Sequence, residues 1–303
     1  MVCGHYPVPR TLSVTTCERA ALPTSRRSSR QTGRVHARSA LFDLYGDHLG
    51  PRGGQAPVAS LVRLLEPLGI AAPAVRTAVS RMVRQGWLDP VGLPTGPGYR
   101  LTTRGMTRLE QAATRIYRVG TPSWDGCWHL LVVAHVPDRQ ARERVRSGLA
   151  FLGYGQLADD TWLAPWASGE VDTLLAADEV HAEVFTARHH GEPDGASDPG
   201  RDVALVRRAW DLDQLAAAYA DWLATAHAIV GSTPPADDRT AFAIRSQLVH
   251  EWRKFLFTDP GLPRQLLPHS WPGDRAAQFF TSSAERLRPA ADRFVDSCLP
   301  EHG

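Results

Sequence analysis

The run Ala72-Pro73-Ala74-Val75-Arg76-Thr77-Ala78-Val79-Ser80-Arg81-Met82-Val83-Arg84-Gln85-Gly86 decides how the N-terminal part of this chain folds. Val75, Val79, Met82 and Val83 recur at helical spacing, so one stripe of a helix faces a core. The opposite face carries Arg76, Thr77, Ser80, Arg81 and Arg84, guanidinium and hydroxyl groups of the kind that contact phosphate oxygens and base edges. Gly86 ends the helix. Taken alone, the run equally suits a surface helix whose charged face is merely solvated.

The flanking sequence narrows the choice. Upstream, Ala37, Ala40, Leu41, Leu44, Tyr45 and Leu49 recur at helical spacing over residues 35–49, and Gly50-Pro51-Arg52-Gly53-Gly54 stops the run. Pro57 suits the start of a second helix, with Leu61, Leu64, Leu65 and Leu68 on one stripe before Gly69. Downstream, Trp87-Leu88 leads into a Pro- and Gly-rich turn, and Tyr99-Arg100-Leu101-Thr102 reads as the returning strand of a hairpin. Three helices and a hairpin predict a winged helix-turn-helix over residues 34–118. A major groove about 12 Å wide accepts its third helix, while the hairpin, with Arg100, grips the adjacent backbone. Residues 104–118 continue as a charged helix leading out of the domain.

Gly120-Thr121-Pro122 breaks the chain, and a second segment follows over residues 119–190. It holds a buried-strand pattern at 129–134, a helix at 139–151, a turn at Gly153-Tyr154-Gly155, a stretch through Trp162 to Trp166, a short helix at 171–176 and a strand at 182–186. That is the βαββαβ order of a ferredoxin-like domain. Trp124, Trp128, Trp162 and Trp166 are read as core rather than as ligand-stacking residues. Residues 191–200 have linker chemistry, and residues 201–303 are almost wholly helical as far as Pro300. The expected fold class is α+β, in several domains.

The 303 residues, 43% of them hydrophobic, suffice for two or three domains with real cores. The net charge of +2 hides an asymmetry: residues 1–118 hold 17 arginines against 6 acidic residues, and the remainder holds 17 basic residues against 26 acidic ones. The basic part favours a polyanionic partner, double-stranded DNA, and the acidic part argues against the whole molecule coating nucleic acid. Residues 1–33 lack the apolar run of an export signal and read as a disordered basic tail. No uncharged apolar stretch approaches the ~20 residues that cross a bilayer. Cys3, Cys17, Cys127 and Cys298 lie far apart with no CxxC pair, which suits a reducing cytoplasm and neither a disulfide framework nor a zinc finger.

Catalytic signals are sparse. There is no GxSxG elbow, GxGxxG loop or Walker loop, so no catalytic residue is assigned. A metal-dependent nuclease would place an aspartate at the end of the first strand of the second segment, where Val133-Ala134-His135-Val136-Pro137 stands instead; Asp138 beyond it reads as a helix cap. His189-His190 has no cysteine or carboxylate at ligand spacing, and neither a metal nor a cofactor is expected. The rival class is an enzyme acting on coenzyme A thioesters, for which His250 and His269 would be bases without evident partners.

Several motifs together resemble the PaaX family of transcriptional repressors of phenylacetate catabolism. They are the stretch from Arg38 to Gly46, the stretch from Val75 to Val83 with Gly86-Trp87-Leu88, Tyr99-Arg100-Leu101-Thr102, Trp124-Asp125-Gly126-Cys127-Trp128, Trp252-Arg253-Lys254-Phe255 with Asp259-Pro260-Gly261-Leu262-Pro263, and Leu267-Pro268 with Trp271-Pro272-Gly273. The resemblance covers residues 38 to about 295. It implies a homodimer of three-part chains: a winged helix, a middle domain like the small subunit of CRISPR adaptation nucleases, and a helical effector domain. It also implies a palindromic operator and release by phenylacetyl-coenzyme A or a related acyl-coenzyme A. Such an effector brings phosphates and an apolar acyl end, so its pocket is expected to join cations to aromatic walls. Arg253 and Lys254 beside Trp252 and Phe255 are the first candidates, and Arg207-Arg208 beside Trp210 the second.

Overall fold

A computed structural model of the protein describes residues 36–107, 109, 123–188 and 199–300. The basic segment 1–33, the pair His189-His190, most of the linker expected at 191–200 and the greater part of the helix expected at 104–118 lie outside the described residues.

Three helices open the fold: α1 (Ala37–Leu44), α2 (Val58–Leu65) and α3 (Ala72–Arg84). The first differs from the single helix expected over residues 35–49. After Leu44 it widens into a π turn, Tyr45–Leu49, in which the Gly50 N–H donates to the Tyr45 carbonyl, and then tightens into a 3₁₀ turn, Gly50–Arg52. The sheet of this part is also larger than a hairpin. Strand β1 (Gln55–Pro57) pairs antiparallel with β3 (Gly96–Leu101), which pairs in turn with β2 (Leu88–Leu93), in the order β1-β3-β2. Three residues ending in proline carry no periodicity, so β1 is invisible to a hydropathy pattern.

The middle segment runs β4 (Trp128–Val133), α4 (Arg139–Phe151), β5 (Gly155–Ala158), β6 (Thr161–Ala164), α5 (Val171–Ala176) and β7 (Ala182–Ala187). The sheet is antiparallel throughout, in the order β5-β6-β4-β7. Strand alternation sorts its two faces. Leu131, Val133 and Trp162 face a core shared with α4 and α5, whereas Trp128, Leu130 and Leu163 pack against the C-terminal helices. Of the tryptophans read as core, Trp128 and Trp162 are buried and Trp124 packs half-buried against the C-terminal cluster, whereas Trp166 lies outside the core clusters and donates its indole N–H to the Gly261 carbonyl at 3.1 Å. Asp138 is the expected cap, its carboxylate accepting from the Ala141 N–H at 2.7 Å.

The C-terminal segment holds α6 (Pro199–Ala209), α7 (Leu212–Val230), α8 (Asp238–Trp252) and α9 (Pro272–Cys298). Asp211 and Asp237 cap α7 and α8 by accepting from the N–H groups of Gln214 and Thr240. Their common core is aromatic, with Trp252 stacked on Phe280 at 4.8 Å and Tyr219 on Phe255 at 4.1 Å. The far ends of these helices belong to another core: Phe242 of α8 and Ala291, Val295 and Cys298 of α9 pack into the cluster built by α1, α2 and α3. The segment that begins with α1 and the C-terminal helices thus share one hydrophobic core.

Candidate nucleic-acid interface

Helix α3 buries Val75, Ala78, Val79 and Met82. Its end is fixed by Gly86, whose φ of 71° lets the Gly86 N–H reach the Val83 carbonyl and the Trp87 N–H reach that of Met82, each at 2.9 Å. A left-handed cap of this kind favours glycine. With that stripe turned inward, Arg76, Thr77, Ser80, Arg81 and Arg84 are all exposed on the other side. Arg100 is exposed on β3. Among the described residues, Arg76, Arg81, Arg84 and Arg100 have no carboxylate within ion-pair distance. An unpaired guanidinium row is an electrostatic invitation to an anion.

Aromatic contacts and a hydrogen bond brace the surface. Phe42 of α1 meets Trp87 edge to face at 5.4 Å, and the Arg104 guanidinium lies 4.4 Å over the Trp87 ring. The Tyr45 hydroxyl donates to the Tyr99 carbonyl at 3.0 Å, tying the π turn to the central strand, and burial pushes its phenol pKa up, so it stays a donor.

A polar seam that sequence reasoning missed joins α1 and the turns after it to α8 and α9. Arg245 of α8 is fully buried; it donates to both carboxylate oxygens of Asp47 in the π turn and to the Ala284 carbonyl of α9 at 3.1 Å. Burial pushes its guanidinium down to about 10, which leaves it charged at neutral pH. His48 lies beside it, and Arg52 bridges to Asp292 and Asp296 of α9. Further along, Asp43 of α1 accepts from Arg253 and meets His250 Nδ1 at 2.8 Å. The adjoining cavity, lined by Asp43, Asp47, His48 and Ser246 among others, has about 10 Å³, room for about one water.

His250, read from sequence as lacking a partner, therefore has one in Asp43, while His269 is exposed. The first effector candidates are not brought together. Trp252 and Phe255 fill the aromatic core, Arg253 is engaged by Asp43, and Lys254 is exposed and paired with Glu251 at 2.6 Å. The physical reason is the phase of packing: Trp252, the last residue of α8, and Phe255, in the 3₁₀ turn Arg253–Phe257 that follows it, face the core, while Arg253 turns to Asp43 on α1. The second candidate group, Arg207, Arg208 and Trp210, lines an open cleft of about 560 Å³ with Trp271 and Pro272.

Comparison with known proteins covers all three parts of the chain. Residues 36–105 match the family described as PaaX-like protein, residues 121–198 the PaaX protein central Cas2-like domain, and residues 210–297 the PaaX-like protein C-terminal domain. The Transcriptional repressor PaaX of Escherichia coli (strain K12) is 33% identical over 266 residues, spanning 86% of this chain and 83% of that protein. Among solved structures, the uncharacterized protein Rv0674 from Mycobacterium tuberculosis aligns with a TM-score of 0.53 at 26% identity, covering 85% of this chain and 98% of that one. With three family matches in order between residues 36 and 297 and a third of the residues shared along most of its length, the chain belongs to the PaaX family of transcriptional regulators.

Proposed function

We propose that this protein is a sequence-specific DNA-binding repressor of the PaaX type, released by an aromatic acyl-coenzyme A such as phenylacetyl-coenzyme A. In this reading α1, α2, α3 and the three-stranded sheet form a winged helix-turn-helix that lays α3 in the major groove, with the β2–β3 wing on the neighbouring backbone. The middle segment is a ferredoxin-like domain through which two copies pair, so that two α3 helices read an inverted repeat. The observation that carries the reading is the face of α3: five exposed polar side chains, three of them arginines with no ion-pair partner among the described residues, opposite the buried stripe of Val75, Ala78, Val79 and Met82. One recognition helix reads only a few base pairs, and genomic selectivity requires two.

The test is operator selection from random DNA with the purified protein, followed by a salt series on wild type and Arg81→Ala. Loss of a phosphate contact flattens the slope of log K against log salt by about 0.9 and weakens all sequences alike. Loss of a base contact costs ~1–3 kcal/mol and relaxes specificity at one position. Unchanged operator affinity in Arg81→Ala overturns this docking.

A further inference from the structure

The cleft at the junction of α6 and α7 differs from the surface around it. Its volume of about 560 Å³ lies within the ~300–1,000 Å³ usual for small-molecule sites. Arg207 and Arg208 stand on its rim in the last turn of α6, both exposed, and among the described residues neither has a carboxylate within ion-pair distance. Arg239, Arg245, Arg253, Arg264 and Arg293 of the same segment each reach a carboxylate, whereas Arg275, Arg286 and Arg288 share the unpaired state of Arg207 and Arg208 among the described residues. What distinguishes Arg207 and Arg208 is their place beside Trp210 and Trp271 on the cleft, whose lining also includes Asp211 and Asp213.

The aromatic wall of the cleft is built rather than incidental. Trp210 stacks on Trp128 of the middle sheet, centroids 6.2 Å apart and planes 27° apart, and the Trp128 indole N–H donates to Asp202 at 2.9 Å. Gly155 makes room for this arrangement, since a Cβ there would lie 2.5 Å from the Trp210 ring. Trp271 is buried and meets Tyr219 edge to face at 6.0 Å; Gly273 gives it space, a Cβ there falling 2.4 Å from the indole nitrogen. Two free guanidinium groups beside two fixed indoles suit a ligand that joins phosphates to a flat or apolar group: the arginines take phosphate oxygens in bidentate pairs, and the rings take the apolar end.

We propose that this cleft is the effector site, with the ligand's phosphates on Arg207 and Arg208 and its apolar end against Trp210 and Trp271. The assignment rests on the reading of the protein as an effector-released repressor and adds a place and a route. The route is α9. Pro272, its first residue, lines the cleft; its 27 residues rise about 40 Å, and its last turns lie in the core of the DNA-binding part. There the Ser60 hydroxyl donates to the Cys298 carbonyl at 2.7 Å, Arg63 to that of Ser297 at 3.1 Å, and Arg52 to Asp296 at 2.8 Å. One helix thus touches ligand at one end and holds α2 at the other.

The experiment is calorimetric titration of phenylacetyl-coenzyme A, and separately of coenzyme A, into wild type, the double variant Arg207→Ala/Arg208→Ala, and a control with the same charge loss elsewhere, Arg139→Ala/Arg286→Ala. Arg139 and Arg286 are exposed on the faces of α4 and α9. The expected result is at least tenfold weaker binding of both probes in the cleft variant, no change in the control, and unchanged operator affinity of all three proteins without ligand. Equal affinity in the cleft variant, or equal weakening in the control, overturns the cleft as the site while leaving the effector reading in place. Failure of wild type to bind either probe removes the effector reading and the cleft assignment with it.

Discussion

His48 shows what one buried ionisable side chain does to this protein. Its Nε2 lies 3.3 Å from Asp47 and 3.4 Å from Arg245, its Nδ1 lies 3.6 Å from Asp292, and its ring tilts against Phe242 at 5.2 Å. Burial lowers its pKa to about 4; Asp292 pulls the other way, and Arg52 and Arg288 add to the lowering. In the unfolded chain the same imidazole titrates near ~6.5. Between those two values the unfolded state binds a proton that the folded state refuses, so stability rises with pH across the window and is lost as pH falls from about 6.5 to about 4. At ~1.4 kcal/mol per pH unit, acidification from pH 7 to pH 5 costs about 2 kcal/mol through this group. Denaturant melts of wild type and His48→Gln at both pH values test it: the variant should lose about 2 kcal/mol less than wild type over that interval. Equal losses would mean that His48 is charged in the folded protein.

At the scale of elements, β7 is one of the two edges of the middle sheet, β5 being the other. It pairs with β4 on one side and, among the described residues, with nothing on the other. Val184 and Phe185 are each 49% exposed on it, one on either face. Exposed edges are usually blunted by charge or proline, so an apolar edge strand is the natural seam between two copies of the proposed dimer. The double variant Val184→Lys/Phe185→Lys should shift sedimentation from dimer to monomer and weaken operator binding at least tenfold, with secondary structure unchanged. A variant that stays dimeric would move the interface elsewhere. The elements themselves were legible to very different degrees. Helix α3 and the βαββαβ order stand in the sequence because residues such as Val75, Val79, Met82, Leu131 and Val133 repeat with the period of the structure they form. The π turn at Tyr45–Leu49 does not, because it shifts the phase of a helix by one residue inside an unbroken pattern. The seam of Asp43, Asp47 and Arg245 was hidden for another reason: a charged residue in sequence looks solvated, and only packing of α8 against α1 shows that Arg245 is buried. The effector candidates divided on the same ground. Trp252 and Phe255 are attractive in sequence because they flank cations, yet the end of α8 and the turn after it put both rings into the C-terminal core.

At the scale of the whole molecule, the described segments 36–107 and 199–300 share a core, and that arrangement constrains how a ligand can act on DNA. Segments joined only by linkers could move independently, whereas here α8 and α9 reach into the cluster formed by α1, α2 and α3. The seam adds directional contacts from Arg245 to Asp47 and from Arg52 to Asp292 and Asp296. Any ligand-driven change in the pitch of α9 must then either carry α2 with it or break the buried Ser60–Cys298 hydrogen bond, together with the half-exposed Arg52 pairs to Asp292 and Asp296. Leaving a buried polar group unsatisfied costs about 1–3 kcal/mol. Moving the DNA-binding part as a rigid piece is cheaper, so release of DNA is expected from a change in the spacing of two intact α3 helices rather than from their unfolding. Thermodynamic linkage sets the size and symmetry of the effect. To lower operator affinity tenfold, the ligand must prefer the released geometry by about 1.4 kcal/mol, and operator DNA must weaken the ligand by the same factor. Phenylacetyl-coenzyme A titrated into free protein and into the protein–operator complex, at one salt concentration because the DNA term is steeply salt-dependent, should give affinities whose ratio equals the ratio of operator affinities with and without ligand. Equal ligand affinities for free and DNA-bound protein would mean that the two sites are uncoupled, and α9 would then be a structural strut rather than a connecting rod.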